Sequence, residues 1–95
     1  MKILILFLAV LFSAELFAKP SVVVGSKTFT ESYILAEIIS QVIEDTGEVE
    51  VQRKFGMGAT GIMYQALLNQ SVDLYPEYSG TIAKTFIGKG LINLT

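Results

Sequence analysis

The sequence contains no cysteine and no histidine among its 95 residues. Without cysteine no disulfide can form, and without either residue type the common structural zinc sites cannot be built. The same absence removes the partners of the usual nucleophile–base pairs and leaves lysines and carboxylates as the only candidate bases. We therefore expect a protein that is not an enzyme and that needs no metal or other cofactor.

Charged residues are also few. Seven Lys and Arg residues against nine Asp and Glu residues give a net charge of −2. No basic stripe is present, so we expect no nucleic-acid partner. Residues 19–95, which follow the apolar amino terminus, number 77. A chain of that length buries little core and has no disulfide to support it, so we expect residues 19–95 to be an incomplete domain.

The amino terminus has the pattern of a secretory signal peptide. Lys2 supplies a positive charge, residues 3–12 are all apolar, and Ala18 offers a small residue for cleavage. The apolar run is shorter than the roughly 20 residues that span a bilayer. We expect residues 1–18 to be a cleavable signal-peptide helix, cut after Ala18, and the product to be periplasmic. A buried core helix and an uncleaved membrane anchor remain as alternatives.

Hydrophobic periodicity predicts six alternating elements in the remaining chain. The predicted bounds are a strand at 21–25, a helix from 28–31 to 47, a strand at 49–55, a helix at 62–69, a strand at 72–75 and a helix at 81–87. For the first helix, Thr28 and Glu31 fit a capping box, with Thr30 as an alternative cap. The βαβαβα order predicts an α/β fold with a small, mainly parallel sheet flanked by helices.

Three loops follow the predicted strands, at residues 26–30, 56–60 and 76–81. In open α/β sheets, ligands bind outside the carboxyl ends of the strands, and helix N-termini there favour an anion. Aromatic residues share these loops or border them: Phe29, Tyr33, Tyr75 and Tyr78. A quaternary ammonium has no N–H group to donate and is held by aromatic faces, so the combination suits a zwitterion. The tyrosines could equally be ordinary packing residues.

Gly56, Gly58 and Gly61 form a G-x-G-x-x-G pattern, with Asp73 further along the chain. This is the spacing of a dinucleotide-binding enzyme, an alternative of a different class. The pattern follows the second strand and Asp73 begins its strand, whereas the ribose-binding acid should end one. An exported protein also lies outside the nucleotide pool. The simpler interpretation is that these glycines allow a tight turn into a helix.

Two longer motifs are more specific. Residues 25–35 read Gly-Ser-Lys-Thr-Phe-Thr-Glu-Ser-Tyr-Ile-Leu, and residues 73–81 read Asp-Leu-Tyr-Pro-Glu-Tyr-Ser-Gly-Thr. In this order and spacing, with residues 58–60 between them, they resemble the glycine betaine/choline-type (osmoprotectant) substrate-binding proteins of ABC importers. The resemblance covers about residues 21–90. It implies part of the first lobe of a type II periplasmic-binding-protein fold, in a family whose members are several times longer.

The resemblance also implies a function and a site. The family binds quaternary-ammonium osmolytes between two lobes and delivers them to an ABC permease in the membrane. Tyr78 matches the tyrosine of the family's Y-[ST]-G-T motif, which contributes to an aromatic cage. The implied ligand-binding residues are Lys27, Phe29, Thr30, Tyr33, Gly58, Ala59, Thr60, Tyr78, Ser79 and Thr81. The alternative is a small exported domain that acts by protein–protein contact without a ligand.

Overall fold

The computed structural model describes residues 19–88. Its elements, in chain order, are β1 (Ser21–Gly25), α1 (Thr30–Glu44), β2 (Glu50–Lys54), α2 (Thr60–Leu68), α3 (Ser79–Thr81) and a π-helical segment (Ile82–Ile87). The predicted signal peptide lies outside the described residues. No helix within residues 19–88 combines the length and apolarity needed to cross a membrane.

The sheet is parallel, as predicted. β1 pairs with β2 from Ser21 opposite Glu50 to Gly25 opposite Lys54. A parallel pair requires a crossover connection, which α1 supplies. Val24, in the apolar run of β1, is fully buried. The βαβ arrangement therefore follows from a β-branched strand, an apolar-periodic helix and a second strand that pairs alongside the first.

The third predicted strand, at residues 72–75, is reduced to a single parallel bridge between Val24 and Leu74. The prediction of a full strand was wrong because a side chain interrupts the ladder. The Asp73 Oδ2 accepts the backbone N–H of Val23 at 2.7 Å, and this donor would otherwise extend the pairing. β1 still lies between β2 and this segment.

The start of α1 also differs from the prediction. Its N-cap is Phe29, in an extended conformation (φ −105°, ψ 155°) and without a side-chain capping bond. The Phe29 carbonyl accepts the N–H of Ser32 at 3.0 Å. Because Ser32 and not Glu31 stands three residues after the cap, the capping box predicted for Thr28 and Glu31 does not form.

The remaining helix boundaries shift by a few residues. α1 ends at Glu44, and Gly47 takes a left-handed conformation (φ 73°) just beyond it. α2 begins at Thr60, and the last helix begins at Ser79 and widens into π-helical turns. All three predicted helices are thus present.

The core is small and lies where α2 packs on β1. Met63, Ala66 and Val72 form the buried cluster. A Cβ atom at Gly25 would lie 2.8 Å from Met63 Cε and 2.9 Å from a Val72 methyl carbon. Glycine at the end of β1 therefore permits this close approach of helix and strand.

Arg53 of β2 connects the strand to α1 at the surface. Its guanidinium lies 2.8 Å from a Glu37 carboxylate oxygen and 2.6 Å from one of Glu44. Exposed ion pairs of this kind contribute little to stability. Elsewhere on α1, residues spaced four apart remain largely exposed although apolar: Ile34, Ile38 and Val42.

Candidate ligand-binding site

The site is built on the carboxyl end of β1, where Ser26 joins the first two loops. Ser26 is fully buried. Its Oγ accepts the Gly56 N–H at 2.8 Å and donates to the Lys27 carbonyl at 3.0 Å. Its own carbonyl accepts the Met57 N–H at 3.0 Å. The loop after β1 and the loop after β2 are therefore held side by side, as expected at the edge of a parallel sheet.

Lys27 follows directly and points its charge into the protein. Its backbone N–H donates to Ser32 Oγ at 2.9 Å. Its ammonium donates to Glu77 Oε1 at 2.5 Å, and the side chains of Lys27 and Glu77 are 7% and 8% exposed. This buried ion pair fastens the loop after β1 to the loop that precedes α3.

Glu77 has two further partners in its own loop. The Tyr75 hydroxyl donates to Oε2 at 2.9 Å, and the Tyr78 N–H donates to Oε1 at 3.0 Å. Burial would raise the pKa of Glu77, but the hydrogen bonds from Lys27, Tyr78 and Tyr75 outweigh it and hold the pKa below its ordinary value. Burial, together with the adjacent carboxylate, raises the pKa of Tyr75. Glu77 is thus an ionised carboxylate fixed from three sides.

Two stacked aromatic rings lie close to the ion pair. The ring centroids of Phe29 and Tyr78 are 6.2 Å apart with an interplanar angle of 21°. The residues are 42% and 38% exposed, so their rings are accessible to a ligand. The Lys27 Nζ lies 5.8 Å from the Phe29 ring centroid. Partial burial and the nearby carboxylates of Glu31 and Glu77 raise the pKa of Tyr78, which stays a neutral phenol.

Tyr33 lies at the second loop. Its ring packs edge-on against Phe55, with centroids 6.3 Å apart at 79°. Its hydroxyl occupies the space that a Cβ atom at Gly56 would need, and Gly56 adopts a left-handed conformation (φ 69°). The sharp turn at Gly56 and the position of Tyr33 therefore depend on each other.

The structure thus brings Lys27, Phe29 and Tyr78 together. Thr30 and Ser79 begin α1 and α3 and are exposed, and Thr81 ends α3 half-buried. These three hydroxyl residues lie on the two helices whose N-caps are the stacked rings, Phe29 and Tyr78.

Gly58, Ala59 and Thr60 form the turn into α2, as the sequence predicts. Ala59 is the N-cap of α2 and its carbonyl accepts the Met63 N–H at 3.1 Å. Gly58 packs so closely on Ile62 that a Cβ atom there would lie 2.9 Å from it. The contacts of this turn run to its own helix, so its part in ligand binding stays a prediction.

The ion pair that Glu77 forms with Lys27 could not be predicted from the sequence. A glutamate in a polar loop is ordinarily solvated or hydrogen-bonded within that loop. The bond within the loop is present, to the Tyr78 N–H, but the ion pair with Lys27 spans 50 residues. The placement of Leu74 beside Val24 brings the two loops together.

A separate apolar cavity of about 230 Å³ lies beside the site. Its walls are Tyr64, Leu67, Tyr75, Glu77, Ile82 and Phe86. The rings of Tyr64 and Phe86 pack with centroids 4.8 Å apart. Tyr75 and Glu77 therefore line this cavity and also take part in the hydrogen bonds around the ion pair.

The glycine pattern has a structural explanation. Gly56 supplies a left-handed turn and Gly58 a close contact with α2. The Asp73 carboxylate is engaged by the Val23 N–H. The structure therefore gives no support to a dinucleotide site, and residues 19–88 contain no cluster of candidate metal ligands.

Comparison with known families decides the assignment. The family described as the substrate-binding domain of ABC-type glycine betaine transport systems matches residues 20–91. The chain belongs to this family. The resemblance drawn from the two sequence motifs is thereby confirmed, and the small α/β fold is that of part of a substrate-binding lobe. The family is one of transport proteins and not of enzymes.

Three proteins of similar sequence support the same family assignment. The chain is 40% identical over 74 residues to the glycine betaine-binding protein YehZ of Escherichia coli K12, covering 78% of this chain and 24% of YehZ. It is 42% identical over 60 residues to the ergothioneine transport permease/ergothioneine binding protein EgtU of Helicobacter pylori G27, covering 62% and 11%. It is 32% identical over 65 residues to the carnitine transport binding protein OpuCC of Listeria monocytogenes, covering 67% and 21%. The chain spans a quarter or less of the length of these relatives.

Proposed function

We propose that the protein takes part in substrate capture for an ABC importer, and that its ligand is a quaternary-ammonium osmolyte such as glycine betaine, choline or carnitine. The observation that carries this proposal is the exposed Phe29–Tyr78 stack at the carboxyl edge of the sheet. Family membership and the names of the relatives support the same ligand class.

The stacked rings suit the cationic end of such a ligand. A quaternary ammonium has no N–H group and presents only methyl groups bearing a diffuse charge, which ring faces attract. Each ring contributes on the order of 0.5–2 kcal/mol, depending on how dry the site is. Phe29 and Tyr78 provide two such rings, and Tyr33 offers a further ring at the neighbouring loop.

A carboxylate on the ligand needs hydrogen-bond donors. The hydroxyls of Thr30, Thr60, Ser79 and Thr81 are candidates, together with the N-termini of α1 and α2, whose N–H groups and dipoles favour an anion. The turn at Gly58 and Ala59 leads the backbone into the second of these N-termini. We propose that choline, which has no carboxylate, uses the aromatic side of the site alone.

We further propose that the protein is exported by the signal peptide at residues 1–18, works in the periplasm, and passes its ligand to an ABC permease in the membrane. The positively charged start, the ten-residue apolar run and the small residue at position 18 support export. The family description supports a transport partner.

Isothermal titration of the full-length protein with glycine betaine, choline and carnitine tests the ligand class. We expect saturable binding of at least one of the three, with a change in tyrosine fluorescence, since the sequence contains no tryptophan. Absence of binding to all three by a folded protein would refute the proposal.

A further inference from the structure

We propose that the apolar cavity between α2 and the π-helical segment is a second binding site, and that its ligand is a small neutral aromatic molecule about the size of benzene. None of the residues that form its walls belongs to the ligand-binding residues implied by the family resemblance. The walls are Tyr64, Leu67, Tyr75, Glu77, Ile82 and Phe86. This site is additional to the one proposed for an osmolyte and does not depend on that ligand class.

The cavity has room for a single aromatic ring. Its volume is about 230 Å³. An apolar protein cavity of about 150 Å³ with leucine, isoleucine and phenylalanine walls is large enough to hold benzene. Phe86 is buried at 5% exposure, whereas Leu67 is 36% exposed, so the cavity runs from the interior toward the surface. A small molecule can therefore both enter and fit.

The polar groups beside the cavity are already paired, which favours a neutral ligand. The Tyr75 hydroxyl donates to one oxygen of Glu77, and the other oxygen accepts from the Lys27 ammonium and the Tyr78 N–H. Within residues 19–88, no buried side-chain nitrogen or oxygen lacks a hydrogen-bond partner. An ordered water needs about two to four polar partners, which these walls do not offer. A charged or strongly polar ligand would lose its hydration there without compensation.

The walls also favour an aromatic ligand over an aliphatic one. Tyr64, Tyr75 and Phe86 contribute three rings, and those of Tyr64 and Phe86 lie 4.8 Å apart at an angle of 42°. Aromatic rings attract one another in offset and edge-to-face arrangements with centroids about 4.5–7 Å apart. A further ring in the cavity can make the same contacts, in addition to those with the side chains of Leu67 and Ile82.

The backbone on one side of the cavity has an unusual conformation. The Gly88 N–H donates to the carbonyl of Ala83, five residues earlier, at 2.9 Å, as in a π-helix. Ile82 and Phe86 of this segment both line the cavity. π-Helical turns are rare and are frequently found at functional sites. A ligand packed between this segment and α2 binds the folded state, and should therefore stabilise the protein.

The experiment titrates benzene into the full chain with ¹³C-labelled isoleucine, leucine and valine methyl groups. We expect saturable shifts, and nuclear Overhauser effects from benzene to the methyl groups of Leu67 and Ile82. The exposed Ile34, Ile38 and Val42 of α1 are internal controls for non-specific apolar binding and should show none. Cyclohexane, which is of similar size, should bind about threefold more weakly or worse, because it lacks ring–ring attraction.

Two matched double variants test the position of the site. L67W/I82W places two indole rings in the cavity, whereas L68W/I87W adds the same groups at exposed positions of the same two helical segments that do not line it. Benzene affinity should fall about tenfold or more in L67W/I82W, because a close-packed cavity leaves no space for the ligand. In L68W/I87W it should stay within about twofold of wild type.

Four results would overturn the proposal. These are no saturable binding of benzene by folded wild-type protein, Overhauser effects to the α1 methyl groups as strong as those to the cavity, full affinity in L67W/I82W, and equal affinity for cyclohexane. If L67W/I82W does not fold, the Overhauser effects in wild type decide the position. Failure of the protein to bind choline, glycine betaine and carnitine would refute the proposed osmolyte site and leave the benzene result unchanged.

Discussion

The Lys27 ammonium lies 2.5 Å from a carboxylate oxygen of Glu77, although the two residues are 50 positions apart. The pair links the loop after β1 to the loop that carries Tyr78. Both side chains are nearly removed from solvent. A buried ion pair that loses one member leaves an uncompensated charge, which makes the pair testable through stability.

The losses of stability caused by Lys27→Met and Glu77→Gln should not add up in the double variant. Each single change should lower the free energy of unfolding by roughly 3 kcal/mol, because it leaves the other member of the pair as an unpaired buried charge. The double variant should lose much less than the sum of the two. Urea denaturation followed by circular dichroism measures all three, and strictly additive losses would show that the two residues do not interact.

Acid should destabilise the protein partly through Glu77. Its pKa in the folded protein lies below the ordinary value of 4.5. Its contribution to stability is therefore fully present above 4.5 and is lost as the pH falls through the lowered pKa. Urea midpoints measured from roughly pH 6 to pH 3 should fall with pH in wild type and fall less steeply in E77Q.

The surface carboxylates Glu37 and Glu44 need separate control in that measurement. Hydrogen bonds from Arg53 lower the pKa of each, so they titrate in the same acidic range. They are exposed, and salt screens their interaction with Arg53. At high salt the pH dependence should therefore persist in E37Q and be reduced in E77Q. Equal slopes for E77Q and wild type at high salt would contradict the assignment.

Two glycine-to-alanine substitutions should change the stability of the protein in opposite directions. Gly56→Ala should cost about 1–2 kcal/mol, because φ is 69° and the new Cβ would displace the Tyr33 hydroxyl. Gly61→Ala should stabilise by about 0.5 kcal/mol, since it lies in α2 with no atom within 4 Å of a new Cβ and alanine favours helix. Thermal denaturation measures both, and a stabilising G56A would refute the proposed turn.

The strands and helices followed well from local sequence. The bounds of β1 and the existence of α1 and α2 could be predicted because apolar periodicity reflects which face of each element is buried. The loss of the third strand could not be predicted, since the Asp73 side chain accepts the Val23 N–H that would otherwise extend the strand pairing. The cap of α1 could not either, because Phe29 stacks on Tyr78 of a distant loop and is held in an extended conformation.

The candidate site was predictable only in part. Loop composition indicated aromatic rings at the edge of the sheet, and the structure stacks Phe29 on Tyr78 there. The partner of Lys27 could not be inferred, because it depends on Leu74 lying beside Val24. A lysine and a glutamate in separate polar loops read as solvated charges until the sheet brings them together.

Export is tested at the amino terminus. The mature protein recovered from the periplasm should begin at Lys19, which mass spectrometry of the intact chain can determine. Replacing Ala18 by Leu should block cleavage, because signal peptidase requires a small residue at the cut. A periplasmic product that retains Met1, or a wild-type product found only in the cytoplasm, would contradict a cleavable signal.

The most direct measurement compares choline affinity in Tyr78→Ala, Tyr78→Phe and wild-type protein, with Tyr64→Ala as a control whose ring packs on Phe86, away from the stack. Loss of the Tyr78 ring should weaken binding by roughly 1–2 kcal/mol, while phenylalanine keeps the ring face and should cost much less. Tyr64→Ala should leave choline affinity nearly unchanged. Equal losses in Tyr78→Ala and Tyr78→Phe, or no loss in either, would contradict a ligand cation held by the Phe29–Tyr78 stack.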